Sequence, residues 1–387
     1  MGTEHPLLGT EPAEPEDLAG TEHSLLGTTW GQSPQSQKIF QGQSIIFFSK
    51  KQYTSHMFNF DLNRDWVIIC PPKPIPVKKC IDDLAGYLGK LMGDKKPLLA
   101  DPFNPPSADC EIILNMDDHG NEECGFQWRM GNGRVEIYGK SFKGLSNGVY
   151  DFLTALGISW PSIGKEILPP PSSMIVLSAN KGSDSGRRFY FPVQKNEVKK
   201  IAEKPEEFFI WAVRQQFDSI VFPFSAFSSY FNKKGIISKL TDIASLYNIS
   251  VEAGGSEISS LLPRRYYFFN RGFFRMEDGR RRMHHHLCST NPEALKLLVK
   301  NAKRIFSKIK GVRVFYLQPD IGKENAWCSC PSCRAFSLQE QFCIIANSAA
   351  DALAATHPGA CLRIQEPEKK EQIPLRSNII KTERFSD

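Results

Sequence analysis

From Arg188 onward, short apolar runs alternate with helix-length stretches, and this alternation limits the possible folds more than any other feature. Arg188–Phe191, Ser219–Phe222, Ser250–Ala253, Val312–Leu317 and Cys361–Ile364 read as strands. Glu206–Phe217, Lys234–Tyr247, Asn291–Ile309 and Leu338–Ala355 read as helices, the third with Pro292 in its first turn. Strand–helix units in series imply a parallel sheet or a (β/α) barrel. Residues 187–387 number 201, whereas a complete eight-stranded barrel takes about 250. With about five strands in sight, the sequence predicts an incomplete TIM-type barrel. A truncated gene product, a degenerate paralogue, or a chain whose open edge is covered by an oligomer or partner would each account for it.

The residues before this region have another character. Residues 38–179 predict a small α+β domain, so the chain as a whole is α/β plus α+β. Strands are expected at Asp65–Cys70, Cys110–Asn115 and Met174–Leu177, and helices at Val77–Met92 and Lys143–Leu156, the second closed by Gly157. Phe126–Met130 and Arg134–Tyr138 are joined by Gly131-Asn132-Gly133, a hairpin signal. Residues 180–186, rich in Gly and Ser, read as a linker. Residues 1–37 hold several acids and no Lys or Arg, and repeat Gly-Thr-Glu-His-x-Leu-Leu-Gly-Thr twice. Such a segment buries too little apolar surface to offset its ordering entropy, so a disordered tail is expected.

Two runs carry a resemblance. Arg134-Val135-Glu136-Ile137-Tyr138-Gly139-Lys140-Ser141, then Gly144 to Leu153 and Leu156-Gly157-Ile158-Ser159-Trp160, resembles the small domain before the barrel in β-N-acetylhexosaminidases and α-glucuronidases. The later part, with Leu287-Cys288-Ser289-Thr290-Asn291-Pro292 and Pro319-Asp320 followed by Cys328-Ser329-Cys330-Pro331-Ser332-Cys333, resembles a bacterial family of unknown function with a glycoside-hydrolase-like barrel. The resemblance implies a protein that binds carbohydrate or hydrolyses O-glycosidic bonds, with no cofactor required for catalysis. Departures occur on the substrate side: Ser256 follows Gly254-Gly255 where a His is common, and Asn270-Arg271-Gly272 replaces His-Pro-Glu. A catalytically inactive carbohydrate-binding protein, or a metal-stabilised scaffold, is therefore the alternative.

Glycosidases usually use two carboxyl groups, and barrel active sites sit at the C-terminal ends of strands. Asp320, Glu252 and Glu366 are the candidate catalytic acids on that criterion, Asp320 foremost. A loop-capping Asp is the competing reading for Asp320, and a solvated charge run for Glu366. Trp327, His285, His286 and Arg280 are candidate sugar contacts, with core packing or a polar loop as the plain alternative. Cys328, Cys330 and Cys333 can supply three thiolates from one loop to a tetrahedral zinc. The fourth ligand is Cys288 or one of His284, His285 and His286, and reduced thiols packing a buried loop are the rival reading.

Charge and compartment complete the expectations. Arg264 to Arg282 holds seven arginines interleaved with Tyr and Phe. Such a run suits an acidic sugar or a single-stranded nucleic acid, but without a nucleic-acid fold motif the latter is not favoured. No apolar run approaches the roughly 20 residues of a spanning helix, so no membrane partner is expected. Ten cysteines behind an N-terminus without a secretory signal point to the cytoplasm, with thiols reduced or metal-bound.

Overall fold

The computed structural model describes residues 57–70, 75–103, 105–117, 124–131, 133–178, 180–183, 190–232, 235–255, 258–284, 286–319, 327–365 and 373–382. The acidic segment 1–37 lies outside them. All the described residues belong to one unit, Ile45–Asp387.

The first strands are β1 (Met57–Asp61), β2 (Trp66–Ile69), β3 (Leu98–Ala100), β4 (Cys110–Met116), β5 (Phe126–Gly131) and β6 (Arg134–Gly139). They are followed by β7 (Ser159–Ser162), β8 (Lys165–Ile167), β9 (Met174–Ser178) and β10 (Asn180–Ser183). A six-stranded mixed sheet runs β10-β5-β6-β4-β2-β3, while β1 pairs with β9 and β7 with β8. The β5–β6 pair is the expected hairpin, in register from Gly131↔Arg134 to Phe126↔Gly139. Phe126, Trp128 and Met130 alternate inward on β5, as period two requires. The helices Ile75–Leu91 and Phe142–Ala155 pack on this sheet. Ser141 caps the second, its hydroxyl accepting from the Gly144 N–H at 3.1 Å. That helix lies very close to the sheet: a Cβ at Gly139 would stand 2.0 Å from the Leu145 nitrogen. Asn180–Ser183, expected as linker, is instead a strand antiparallel to β5. Its polar sequence hides it from a pattern search: backbone pairing with β5 and the Lys181–Asp151 ion pair at 2.9 Å hold it.

The second sheet is wholly parallel in the order β11 (Tyr190–Pro192), β12 (Ser219–Phe222), β13 (Ser250–Gly255), β16 (Val314–Leu317), β17 (Cys361–Gln365) and β18 (Ile379–Thr382). A small ribbon, β14 (Met276–Glu277) with β15 (Arg280–Arg281), stands apart. This is a half-barrel arrangement of six strands rather than five. Ile379–Thr382, in a stretch too short for three more β-α units, supplies the sixth.

The two faces of the sheet differ. Ile220, Phe222, Val251, Ala253, Phe315, Leu317, Leu362 and Ile364 join the main apolar core with Leu240 and Ala244 of helix Ile236–Leu246 and Leu298 and Phe306 of helix Pro292–Phe306. Tyr190, Val221 and Tyr316 form a separate cluster on the opposite face. There the Tyr190 and Tyr316 rings stack at 5.9 Å. The Thr382 hydroxyl donates to the Tyr190 hydroxyl at 3.2 Å, so side chains of the first and last strands meet across a strongly curled sheet.

Polar contacts join the elements around the first sheet to the helix Pro205–Arg214 and the turn after it. Arg214 pairs with Asp83 at 3.0 Å, and the Trp211 indole donates to the Trp160 carbonyl at 3.1 Å. The buried Lys143 ammonium donates to the Phe217 carbonyl at 2.7 Å.

Gly254 fixes the spacing of β13 and β16. Its φ is +137°, and a Cβ would lie 1.8 Å from the Tyr316 carbonyl oxygen. Gly254→Ala is expected to destabilise by about 2–3 kcal/mol through strain and overpacking. Urea unfolding that leaves the midpoint unchanged would contradict this.

Candidate metal centre

The loop after β13 and the loop after β16 follow neighbouring strands of the sheet, and they meet through four cysteines. Cys288 comes from the first loop; Cys328, Cys330 and Cys333 come from the second. All four are buried, and their sulfurs lie within 4.8 Å of one another. Cys288 Sγ is 3.7 Å from both Cys330 Sγ and Cys333 Sγ. A disulfide would bring two sulfurs to about 2.05 Å. A zinc ion with about 2.3 Å bonds to tetrahedral thiolates spaces the sulfurs by about 3.8 Å. The geometry therefore fits a tetrathiolate, and all ten cysteines are free of disulfides.

Local structure explains how each sulfur arrives. Asp278 and Gly279, with φ of +49° and +71°, turn the β14–β15 ribbon, as an Asp-Gly hairpin turn does. A bridge between Phe274 and Leu287 and a bond from Cys288 N–H to the Phe273 carbonyl (2.9 Å) then fix the chain. Asn291 caps the following helix by accepting from the N–H groups of Glu293 and Ala294, which sets Cys288 just before the helix start. In the second loop, Cys333 opens a 3-10 turn, and Ser337 begins helix Leu338–Thr356 with a capping box. Gln341 of that helix is buried and ties the loop together. Its amide donates to the Cys328 and Cys333 carbonyls at 3.2 and 3.3 Å, and its oxygen accepts from the Cys328 N–H at 3.2 Å.

Hydrogen-bond donors surround the sulfurs. Met276 N–H points to Cys328 Sγ at 3.3 Å, and an Arg281 N–H lies 3.7 Å from the same sulfur. The Thr290 hydroxyl is 3.1 Å from Cys333 Sγ. Hydrogen bonds from Cys328 and Cys333 hold the Cys288 thiol far below its ordinary value, and Cys328 is pushed up in return. Cys333 is pushed up as well, so these three thiols titrate together. Four soft ligands suit zinc better than a hard cation, and a closed set of four leaves no coordination position for substrate.

The other candidate residues are dispersed. Asp320, Glu366 and His285 lie outside the described residues, as does Glu257. In sequence, Asp320 and Glu366 follow the C-terminal ends of β16 and β17. Glu252 lies on the curled inner face at 0% exposure. It accepts from the Ser219 hydroxyl at 2.7 Å and pairs with Arg363 at 3.0 Å. Buried in this way and paired with Arg363, the carboxylate takes part in an internal ion pair. Arg363 also lies over the Tyr190 ring at 4.7 Å. Trp327 is half-buried, with one face against the buried His286 ring at 4.1 Å. That stack occupies one face of the indole. Arg280 is exposed on β15.

The sequence reading missed Arg363, Tyr190, Tyr316 and Gln341. For Arg363 a signal existed: it is the one charge between Leu362 and Ile364, so the apolar pair faces the helices and Arg363 faces inward.

No known family profile matches the chain, and no curated protein does. Solved structures of glycoside hydrolases do. An exo-β-N-acetylglucosaminidase of family GH20 from Vibrio harveyi is 10% identical with a TM-score of 0.40, over 87% of this chain and 56% of that one. The β-N-acetylhexosaminidase from Bacteroides fragilis is 11% identical at 0.43, over 84% and 67%. The Flavobacterium johnsoniae chitobiase is 12% identical at 0.45, over 84% and 52%. The chain thus spans about half to two thirds of their lengths. Among the described residues, no helix is long and apolar enough to cross a membrane.

Proposed function

We propose that this chain is a glycoside-hydrolase-like protein that engages carbohydrate at the C-terminal mouth of its parallel sheet, with a structural zinc ion fastening the mouth. One observation carries the reading: the four buried cysteines join the loops that follow two adjacent strands, β13 and β16. Ligands of parallel α/β sheets bind where such loops emerge. A zinc ion held by Cys288, Cys328, Cys330 and Cys333 supplies no chemistry to substrate; it holds two walls of the mouth at a fixed separation.

In this reading Asp320 is the acid, base or orienting group for hydrolysis of an O-glycosidic bond, and Glu366 is the second carboxyl group. Binding without turnover is the competing role, and the burial of Glu252 against Arg363 supports it by suiting one of the three candidate acids to an internal ion pair. A reducing compartment such as the cytoplasm would keep the four thiols available to metal.

Screening the purified protein on aryl-glycosides and on a glycan array separates these roles. Turnover lost at least a hundredfold in Asp320→Asn, with sugar binding kept, supports hydrolysis. Array binding without turnover on any aryl-glycoside supports the binding role. Neither turnover nor binding on either panel removes the carbohydrate reading.

A further inference from the structure

The chain's charge is segregated. Its formal net charge is +6, and Arg264–Arg282 holds seven arginines against Glu277 and Asp278, a surplus of +5. Nearly the whole imbalance thus sits in one loop of nineteen residues. Of those arginines, Arg264, Arg265, Arg271, Arg280 and Arg282 are exposed. Glu277 is engaged by Arg275 at 3.2 Å and by Arg282 at 3.3 Å.

The same loop presents two consecutive phenylalanines to water. Phe268 is 76% exposed and Phe269 80%, at the end of the 3-10 turn Arg264–Phe268. Neighbouring aromatics do not share this fate: Phe274 is buried and Tyr267 half-buried. The loop is also braced. The Tyr267 hydroxyl donates to the Arg281 carbonyl at 2.6 Å, and Arg281 donates to the Phe274 carbonyl at 2.7 Å. Ser329, next to Cys328, donates from both its N–H and its hydroxyl to the Met276 carbonyl. The exposed rings and charges are therefore presented on a fixed base.

We propose that Arg264–Arg282 is a docking surface for an anionic lipid bilayer. Paired apolar rings set among arginines are the two components of interfacial attachment: the rings enter the acyl boundary and the guanidinium groups meet lipid phosphates. A single-stranded nucleic acid would stack bases on the rings as well as satisfy the arginines, but no nucleic-acid fold motif accompanies the loop; an acidic glycan would be met chiefly by the arginines. The absence of a spanning segment led to the expectation of no membrane partner, yet surface attachment requires no such segment. This proposal is independent of the carbohydrate reading.

Flotation of the full-length protein with vesicles tests it. Co-flotation is expected with mixed phosphatidylcholine–phosphatidylserine vesicles and not with phosphatidylcholine alone, and high salt should reverse it. Phe268→Ser with Phe269→Ser, and separately Arg264→Glu with Arg265→Glu, should each weaken it roughly tenfold or more, with the melting temperature unchanged. No flotation with either vesicle overturns the proposal, as does equal flotation with both. Retention of binding in the double-serine variant overturns it too. So does binding only to a single-stranded oligonucleotide or to polygalacturonate.

Discussion

Replacing Cys333 with serine is expected to abolish stoichiometric metal and to lower the melting temperature by about 10 °C. Cys333 is fully buried and sits 3.7 Å from Cys288 Sγ, so its loss leaves three thiolates around the position of an ion. Metal that binds only the folded chain stabilises it by about 4 kcal/mol when its free concentration is about 1,000 times Kd. At about 2–4 °C per kcal/mol, the shift follows. Packing alone could lower stability as well, so a chelator provides the control. A strong chelator should bring the native protein down to the melting temperature of Cys333→Ser and leave the variant unmoved. Elemental analysis should find about one zinc per native chain. A native protein that contains no metal and melts identically with and without chelator would falsify the metal centre; iron in place of zinc would keep the site and change its occupant.

The parts of the fold that could be read from the sequence are those whose signal is local. The Gly131–Gly133 hairpin, the Gly157 helix stop and the Asn291-Pro292 helix start each follow from residues within one turn. The half-barrel was legible as alternating strands and helices. Where the determinant was a distant partner, the reading failed or stayed open. The strand Asn180–Ser183 forms because β5 offers it an edge, and β18 because β17 does. The three-cysteine loop announces a metal, but spacing cannot choose between Cys288 and the neighbouring histidines for the fourth ligand. The fold decides by bringing Cys288 to the cluster and turning His286 onto Trp327. The partner of Glu252 is distant in the same way: a strand-end acid reads as a site residue, and its pairing with Arg363 two strands away is visible only in the fold.

That partner makes the second large prediction. Arg363→Met should destabilise by about 3–5 kcal/mol, because it leaves the fully buried Glu252 carboxylate without its opposite charge. Glu252→Leu alone strands the guanidinium, although the Tyr190 ring beneath it offsets part of the cost. The double variant, Glu252→Leu with Arg363→Met, should recover most of the loss, since apolar groups of similar volume replace both charges and none is left unpaired. Urea unfolding of the two single variants and the double variant gives the coupling directly. The same set separates a structural from a chemical role. If Glu252 only holds the curled sheet together, the double variant keeps whatever glycan turnover or binding the native protein shows. A double variant that is as stable as the native protein yet has lost turnover would instead return Glu252 to the reaction. The buried pair would then have to open for the carboxylate to reach a sugar at the mouth.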